Sequence, residues 1–356
     1  MLHLSLSQDN ILYLLNYSYI TYKMAENQFE ARRAILIGDV GDIRHQRNAA
    51  VLRNNSLNPI VTMEFYATEY GIICGLTEIL SLLEKVLPDT GCEVWALEEG
   101  EEILKQEVGL RITGPYGGFG LYEPSINGIL SSCSGWATAA KNCSQNSGEI
   151  PVLSRASKFV HPNISELLDY SSIIGGCDHC STSLGARMSN GTTFDTMSES
   201  LSMLFGDTLL AAKAYDSTLQ ADIQRIFSVG VLETASNESL TIAGNLKEKT
   251  RGVELIIDNY NSIADFSIIN ELRVRLDNAG FKFVEIYISG DSINPDSITV
   301  LKDNNFPIQG IIVEKYIGLA QSLPFRSEIK QIEGKQVARN GQIPGMIDNS
   351  KLNKLI

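Results

Sequence analysis

Apolar and polar positions along the chain follow two different periods. Residues 60–66 (IVTMEFY) form a mostly apolar run of strand length. Within residues 72–83, Ile72, Ile73, Leu76, Ile79, Leu80 and Leu83 recur at the spacing of a helical face. Residues 93–97 predict a short strand. Leu110–Thr113 predicts another, running into Gly114-Pro115-Tyr116-Gly117-Gly118. Residues 126–140 (INGILSSCSGWATAA) have the small-residue composition of a closely packed helix. After residue 220 the pattern becomes regular: short apolar runs end in a polar residue or a glycine, and a helical stretch follows. Ser228–Leu232 ends at Glu233-Thr234, and Val253–Ile257 ends at Asp258. Phe283–Ile288 ends at Ser289-Gly290, and Ile311–Val313 leads into Glu314 and then Gly318. These endings lie about one βα unit apart. Between the second and third, Asp265–Asn278 places Ile268, Ile269, Leu272 and Leu276 on one face, with Gly280 positioned to stop the helix. The pattern predicts an α/β protein with a parallel sheet, open or closed into a barrel. In such sheets ligands bind beyond the carboxyl ends of the strands, so the polar strand-end residues are where chemistry is sought.

Length, charge and cysteine usage narrow this reading. The 356 residues suggest about two domains and can bury a core without disulfides or metal. Lys and Arg total 29 against 42 Asp and Glu, giving a formal charge of −13. That balance disfavours nucleic acid as a partner, which needs a basic face, yet leaves room for a local basic pocket. No uncharged apolar run reaches the ~20 residues of a membrane helix. Of the six cysteines only Cys177 and Cys180 are closely spaced. One such pair is a thin motif for zinc or redox work, and reduced cysteines packed near a strand end account for it as well. The scattered remainder fits a reducing cytoplasm. Residues 1–23 are leucine-rich but have no basic residue before Lys23 and no small-residue cleavage site, so they make a poor signal peptide. The segment from Met24 reads as an ordinary start, so the expectation is that residues 1–23 are an extension and the start a mis-called one.

Several strand-end residues could carry chemistry. Ser289, Gly290 and Gly318 lie in small loops whose backbone N–H groups could approach a phosphate, although glycine is also an ordinary turn residue. Asp258 and Glu233 end adjacent strands and could hold ribose hydroxyls or magnesium. Helix N-capping is the plainer role for Asp258, while Glu is a poor N-cap. Arg155, Lys158 and His161 cluster in SRASKFVHPN, suited to an anion or to a solvated turn. Arg32, Arg33, Arg44, Arg47 and Arg53 make residues 32–53 basic within an acidic chain, favouring an anion or a partner subunit.

Read together, these segments resemble the nicotinate phosphoribosyltransferase family in its shorter archaeal-type form. The blocks run in order from about residue 34 to 345: GDVGDIRHQRNAAVLR, EYGIICGLTEILSLLE, VWALEEGE, RITGPYGGFGLYEP, GWATAA, SKFVHPNI, IIGGCDHCSTSLGARM, FGDTLLAAKAYD, LIIDNY, YISG and IEGKQVARNGQIPG. The resemblance implies an N-terminal α/β domain over 24–130, completed by 325–350. It also implies a β/α barrel-like domain of the type II phosphoribosyltransferase kind over 131–324, leaving 351–356 as a tail. It implies transfer of ribose 5-phosphate from phosphoribosyl pyrophosphate to a pyridine carboxylate, in NAD biosynthesis, with Mg2+ present. The family's active sites lie at a dimer interface, so a homodimer or higher homo-oligomer is implied. Quinolinate phosphoribosyltransferases share the fold.

By the same resemblance Glu199, Glu233 and Asp258 are the catalytic candidates. Arg44, Lys158, His161, Ser289, Gly290 and Gly318 are those for substrate and phosphate. The chain also departs from the family pattern. Glu199 stands where some members carry a phosphorylated histidine, so ATP coupling is not expected. Lys158 replaces an arginine and keeps charge without its bidentate fork. Asp291 follows Ser289-Gly290 in place of a glycine, and an anion there opposes phosphate unless magnesium bridges them. Tyr316 replaces the first glycine of Gly-Val-Gly, Arg44 replaces a tyrosine, and Asn259-Tyr260-Asn261-Ser262-Ile263 replaces an arginine-rich stretch. With so many site positions altered, a weakened relative acting as a ligand sensor or non-catalytic subunit is the alternative to an enzyme.

Overall fold

The computed structural model describes residues 29–258 and 262–356. The expectation for residues 1–23 and the departures at Asn259, Tyr260 and Asn261 lie outside the described residues. In chain order the main elements are α1 (Ile43–Asn54), β1 (Ile60–Ala67), β2 (Gly71–Ile72), α2 (Leu76–Val86), β3 (Glu93–Ala96), β4 (Glu102–Ile103), β5 (Val108–Pro115) and α3 (Glu123–Ser147). Next come β6 (Val152–Ser154), α4 (Ser165–Ile174), α5 (Glu199–Phe205), α6 (Thr208–Thr218), β7 (Ile226–Val229), α7 (Ala235–Leu246), β8 (Gly252–Ile256), α8 (Ser267–Asn278), β9 (Glu285–Ser289), α9 (Pro295–Asp303) and β10 (Gly310–Val313). The short α10 (Lys315–Gly318), β11 (Phe325–Ile332), β12 (Lys335–Gln336) and β13 (Asn353–Lys354) complete the order.

One lobe is an antiparallel sheet in the order β12-β11-β1-β5-β3-β13. Its inner face holds Met63, Phe65, Leu110 and Ile112 and is covered by α2, which buries Leu76, Ile79, Leu82 and Leu83 at helical spacing. Ile72 and Ile73 share that periodicity yet precede the helix. Gly75, at φ 98°, turns the chain between β2 and α2, a conformation cheap only for glycine. Asn353–Lys354 pairs with Trp95–Ala96, so the segment expected as a tail supplies an edge strand.

The second lobe is parallel, in the order β6-β10-β9-β8-β7. Isolated parallel bridges Leu153↔His179, Cys180↔Thr193 and Met197↔Phe227 run from β6 round to β7, which gives the sheet its barrel character. The helical face expected from Asp265 begins at Ser267, after a short 3-10 turn, and buries Ile269, Leu272 and Leu276. Strand alternation sends Phe227, Val253, Leu255, Ile286, Ile288 and Ile311 outward, to the large core beneath the helices. Leu153, Ile226, Tyr287 and Ile312 point inward and close the bottom of the barrel, with Phe194 packed against them. The small-residue helix α3 runs between the lobes. Its Ala137 carbonyl comes so near Gly175 that a Cβ there would lie 2.2 Å from the oxygen, which is the close approach its composition predicted.

Candidate active site at the carboxyl edge of the barrel

Above the apolar floor, the next inward positions are polar. Ser228 on β7, Glu254 on β8, Ser289 at the end of β9, and Arg155 and Glu314 just beyond β6 and β10 meet at the centre of the strand ends. Glu254 is fully buried. Its carboxylate accepts hydrogen bonds from the hydroxyls of Ser228 (3.0 Å), Thr196 and Ser289, and from two nitrogens of the Arg155 guanidinium. Burial works to raise this carboxyl, but Arg155 and the hydroxyls outweigh it and hold it below the usual carboxylate range.

Arg155 is correspondingly saturated. Nε donates to Glu314 Oε1 at 2.6 Å, Nη1 to Thr196 Oγ1 at 3.3 Å and Asp195 Oδ1 at 3.4 Å, and Nη2 to Glu254. Burial disfavours its charge, yet the carboxylates of Glu254 and Glu314 drive its pKa above the ordinary value. Lys158 Nζ donates to the other oxygen of Glu314 at 2.6 Å. A cavity of about 380 Å³ opens above this network, lined by Arg155, Lys158, Asp195, Glu199, Asp258 and Asp291, among others. The two cations at this cavity are engaged by the chain's own carboxylates, and its wall carries further acidic side chains.

Among the expected site residues, Lys158, Glu199, Asp258 and Ser289 converge on this cavity. Asp258 is exposed at the end of β8 and caps no helix; its carbonyl accepts from Ser292. Ser289 is buried and serves Glu254. Gly290 follows at φ 134°, and an added Cβ would lie 2.3 Å from the Ile257 carbonyl oxygen, so this turn admits only glycine. Glu233 does not line the cavity. It stands in the loop after β7, where the N–H groups of Gly230, Val231, Leu232 and Glu233 all turn onto the Glu238 carboxylate. Gly318 is buried at the end of α10, with Phe159 and Ala156 where a side chain would go; its role is close packing. His161 is exposed and accepts from the Asn163 N–H. Arg44 is exposed at the start of α1, hydrogen-bonded to Asp42, and no part of this cavity within one chain.

The residue that sequence reasoning passed over is Glu254. The signal was available: an acid inside the apolar run Val253–Ile257 has no reason to be there unless a buried partner holds it. The Cys177 and Cys180 thiols are buried and pushed up by burial, which disfavours their thiolate forms. Among the described residues no group of three or more His, Cys, Asp or Glu side chains is arranged to hold a metal ion, and no helix is long and apolar enough to cross a membrane.

Comparison with known proteins places this geometry in context. Residues 46–134 match the family described as quinolinate phosphoribosyl transferase, N-terminal domain. A nicotinate-nucleotide pyrophosphorylase from Pyrococcus furiosus superposes with TM-score 0.79 at 29% identity, covering 91% of this chain and 82% of that one. Human nicotinic acid phosphoribosyltransferase superposes with TM-score 0.69 at 17% identity, over 86% of this chain and 77% of that one. The nicotinate-nucleotide pyrophosphorylase of Francisella tularensis gives TM-score 0.59 at 13% identity, over 86% and 99%. The last two are similar in fold alone.

Proposed function

We propose, from the premise that this chain belongs to the type II phosphoribosyltransferases, that it binds phosphoribosyl pyrophosphate over the barrel and transfers ribose 5-phosphate to the ring nitrogen of a pyridine carboxylate in NAD biosynthesis. The observation that carries this reading is the polar layer of Arg155, Lys158, Glu254, Ser289 and Glu314, set at the strand ends where such folds bind ligands. In the transfer the bond from the anomeric carbon to pyrophosphate breaks, the bond to the ring nitrogen forms, and pyrophosphate leaves with its electron pair. Positive charge develops at the ribosyl carbon, and the carboxylates of Asp258 and Glu199, which line the cavity, would stabilise it. Lys158 and Arg155 are the cations that would meet departing phosphate. Magnesium commonly binds through one or two carboxylates plus substrate phosphates. Asp258 and Asp291, both on the cavity wall, would be its protein donors, with Asp291 drawn from Lys315 at 3.7 Å, and the ion would neutralise the pyrophosphate. The family's shared site makes a dimer part of this proposal, with Arg44 available to a neighbouring subunit.

A second reading is favoured by one observation: both cavity cations are already paired with the chain's own carboxylates. A ligand-binding subunit with weakened catalysis has no need to hold pyrophosphate tightly. Calorimetry with phosphoribosyl pyrophosphate and magnesium, followed by product analysis with nicotinate and with quinolinate, separates the two. Binding plus a pyridine mononucleotide supports transfer. Binding without product supports the sensor, and absence of binding overturns both.

A further inference from the structure

We infer that Glu314 sets the anion selectivity of this cavity: it is a built-in carboxylate seated on the Arg155–Lys158 pair, which an incoming phosphate or carboxylate must displace. The inference rests on the reading of this cavity as the phosphoribosyl site. Glu314 is buried directly after β10, and its two oxygens are divided between Arg155 Nε and Lys158 Nζ, each at 2.6 Å. This is the two-point geometry in which a guanidinium and an ammonium would grip a bound anion. The terminal guanidinium nitrogens are held by Glu254, Thr196 and Asp195, and Glu314 occupies the Nε side. Lys158 is more than half exposed and has no other ion-pair partner among the described residues, so it is free to follow a ligand once Glu314 is removed. The sequence shows why the carboxylate lands there. Gly310, Ile312 and Glu314 share the inward face of β10, and Ile312 belongs to the apolar floor.

Glu314 therefore acts as a specificity-determining residue graded by ligand charge. A neutral pyridine gains nothing from its removal, a monocarboxylate gains some, and a dicarboxylate or pyrophosphate gains most. The test is the affinity of pyrophosphate, quinolinate, nicotinate and nicotinamide for the full chain and for Glu314→Gln, by calorimetry at 0.15 M salt with melting temperature recorded. The expected result is a gain of about tenfold or more for pyrophosphate, falling in that order to none for nicotinamide. The gain should shrink in Lys158→Gln/Glu314→Gln, where Arg155 alone is uncovered. Glu314→Asp, whose carboxylate is drawn back by one methylene, should show a partial gain and keeps the test decisive if the glutamine variant does not fold. Equal affinities for pyrophosphate in the parent, Glu314→Gln and Glu314→Asp overturn the inference, whatever the activity. A charge-graded gain in a chain that transfers ribose phosphate to no pyridine leaves the inference standing and removes the proposed function.

Discussion

A buried carboxylate decides more about this barrel than any exposed one. Glu254 has five donors from four residues, and its partner Arg155 keeps its buried charge between Glu254 and Glu314. Removing one member of such a pair strands the other, so Glu254→Ala should cost about 3 kcal/mol of stability in denaturant unfolding. Its folded pKa lies below the unfolded value. The stabilisation is therefore fully present above the unfolded carboxyl's pKa, and it is lost as pH falls through the folded one. Acid titration of the parent should show this loss, and Glu254→Gln should flatten it. Glu199 behaves differently. It is exposed at the start of α5 and takes part in no ion pair among the described residues, and a glutamate is a weak nucleophile unless desolvated or metal-bound. Any transfer by this chain should proceed without ATP, and Glu199→His alone should not create coupling. Following ADP and nucleotide in one reaction checks this, and stoichiometric ADP release by the parent would refute it.

At the scale of elements, the strand-end loops are fixed by backbone demands before they are available for chemistry. The β9 loop turns at Gly290 with a positive φ, pressed against the Ile257 carbonyl. Gly290→Ala should lower stability by about 1–3 kcal/mol, visible as a lower melting temperature, and should disturb Ser289 and Asp291 together. The loop after β7 is organised by Glu238, whose carboxylate gathers four consecutive N–H groups and the Thr208 hydroxyl. That is why Glu233, equally a strand-end acid by pattern, stands apart from the cavity. Pattern placed most elements correctly because alternation and helical spacing follow directly from burial. It placed the start of α2 too early, because Ile72 and Ile73 satisfy the helical spacing while belonging to a short strand pair before Gly75.

For the whole molecule, α3 joins an antiparallel lobe to a parallel barrel, and strand β11 returns to the first lobe after the barrel is complete. Arg44, which the resemblance assigned to substrate binding, and its basic neighbours on α1 face solvent in the single chain, and none of them lines the cavity. The proposed dimer would supply that meeting. Light scattering at micromolar concentration should give twice the monomer mass or more, and a stable monomer would count against the shared site.

The sequence by itself determined the α/β class, the run of βα units after residue 220 and the candidate acids and cations at strand ends, because periodicity and turn chemistry are local properties. Tertiary structure alone decided which of them meet. Lys158, Asp258, Glu199 and Ser289 come from four different strand ends or loops and converge because the sheet curls round. Glu233, Gly318 and His161 satisfy the same local rules and do not line the cavity. The pairing of Arg155 with Glu254 and Glu314 joins residues 99 and 159 positions apart. Its physical cause is the barrel interior itself, where a buried charge is tolerated only when opposite charges from neighbouring strands close over it.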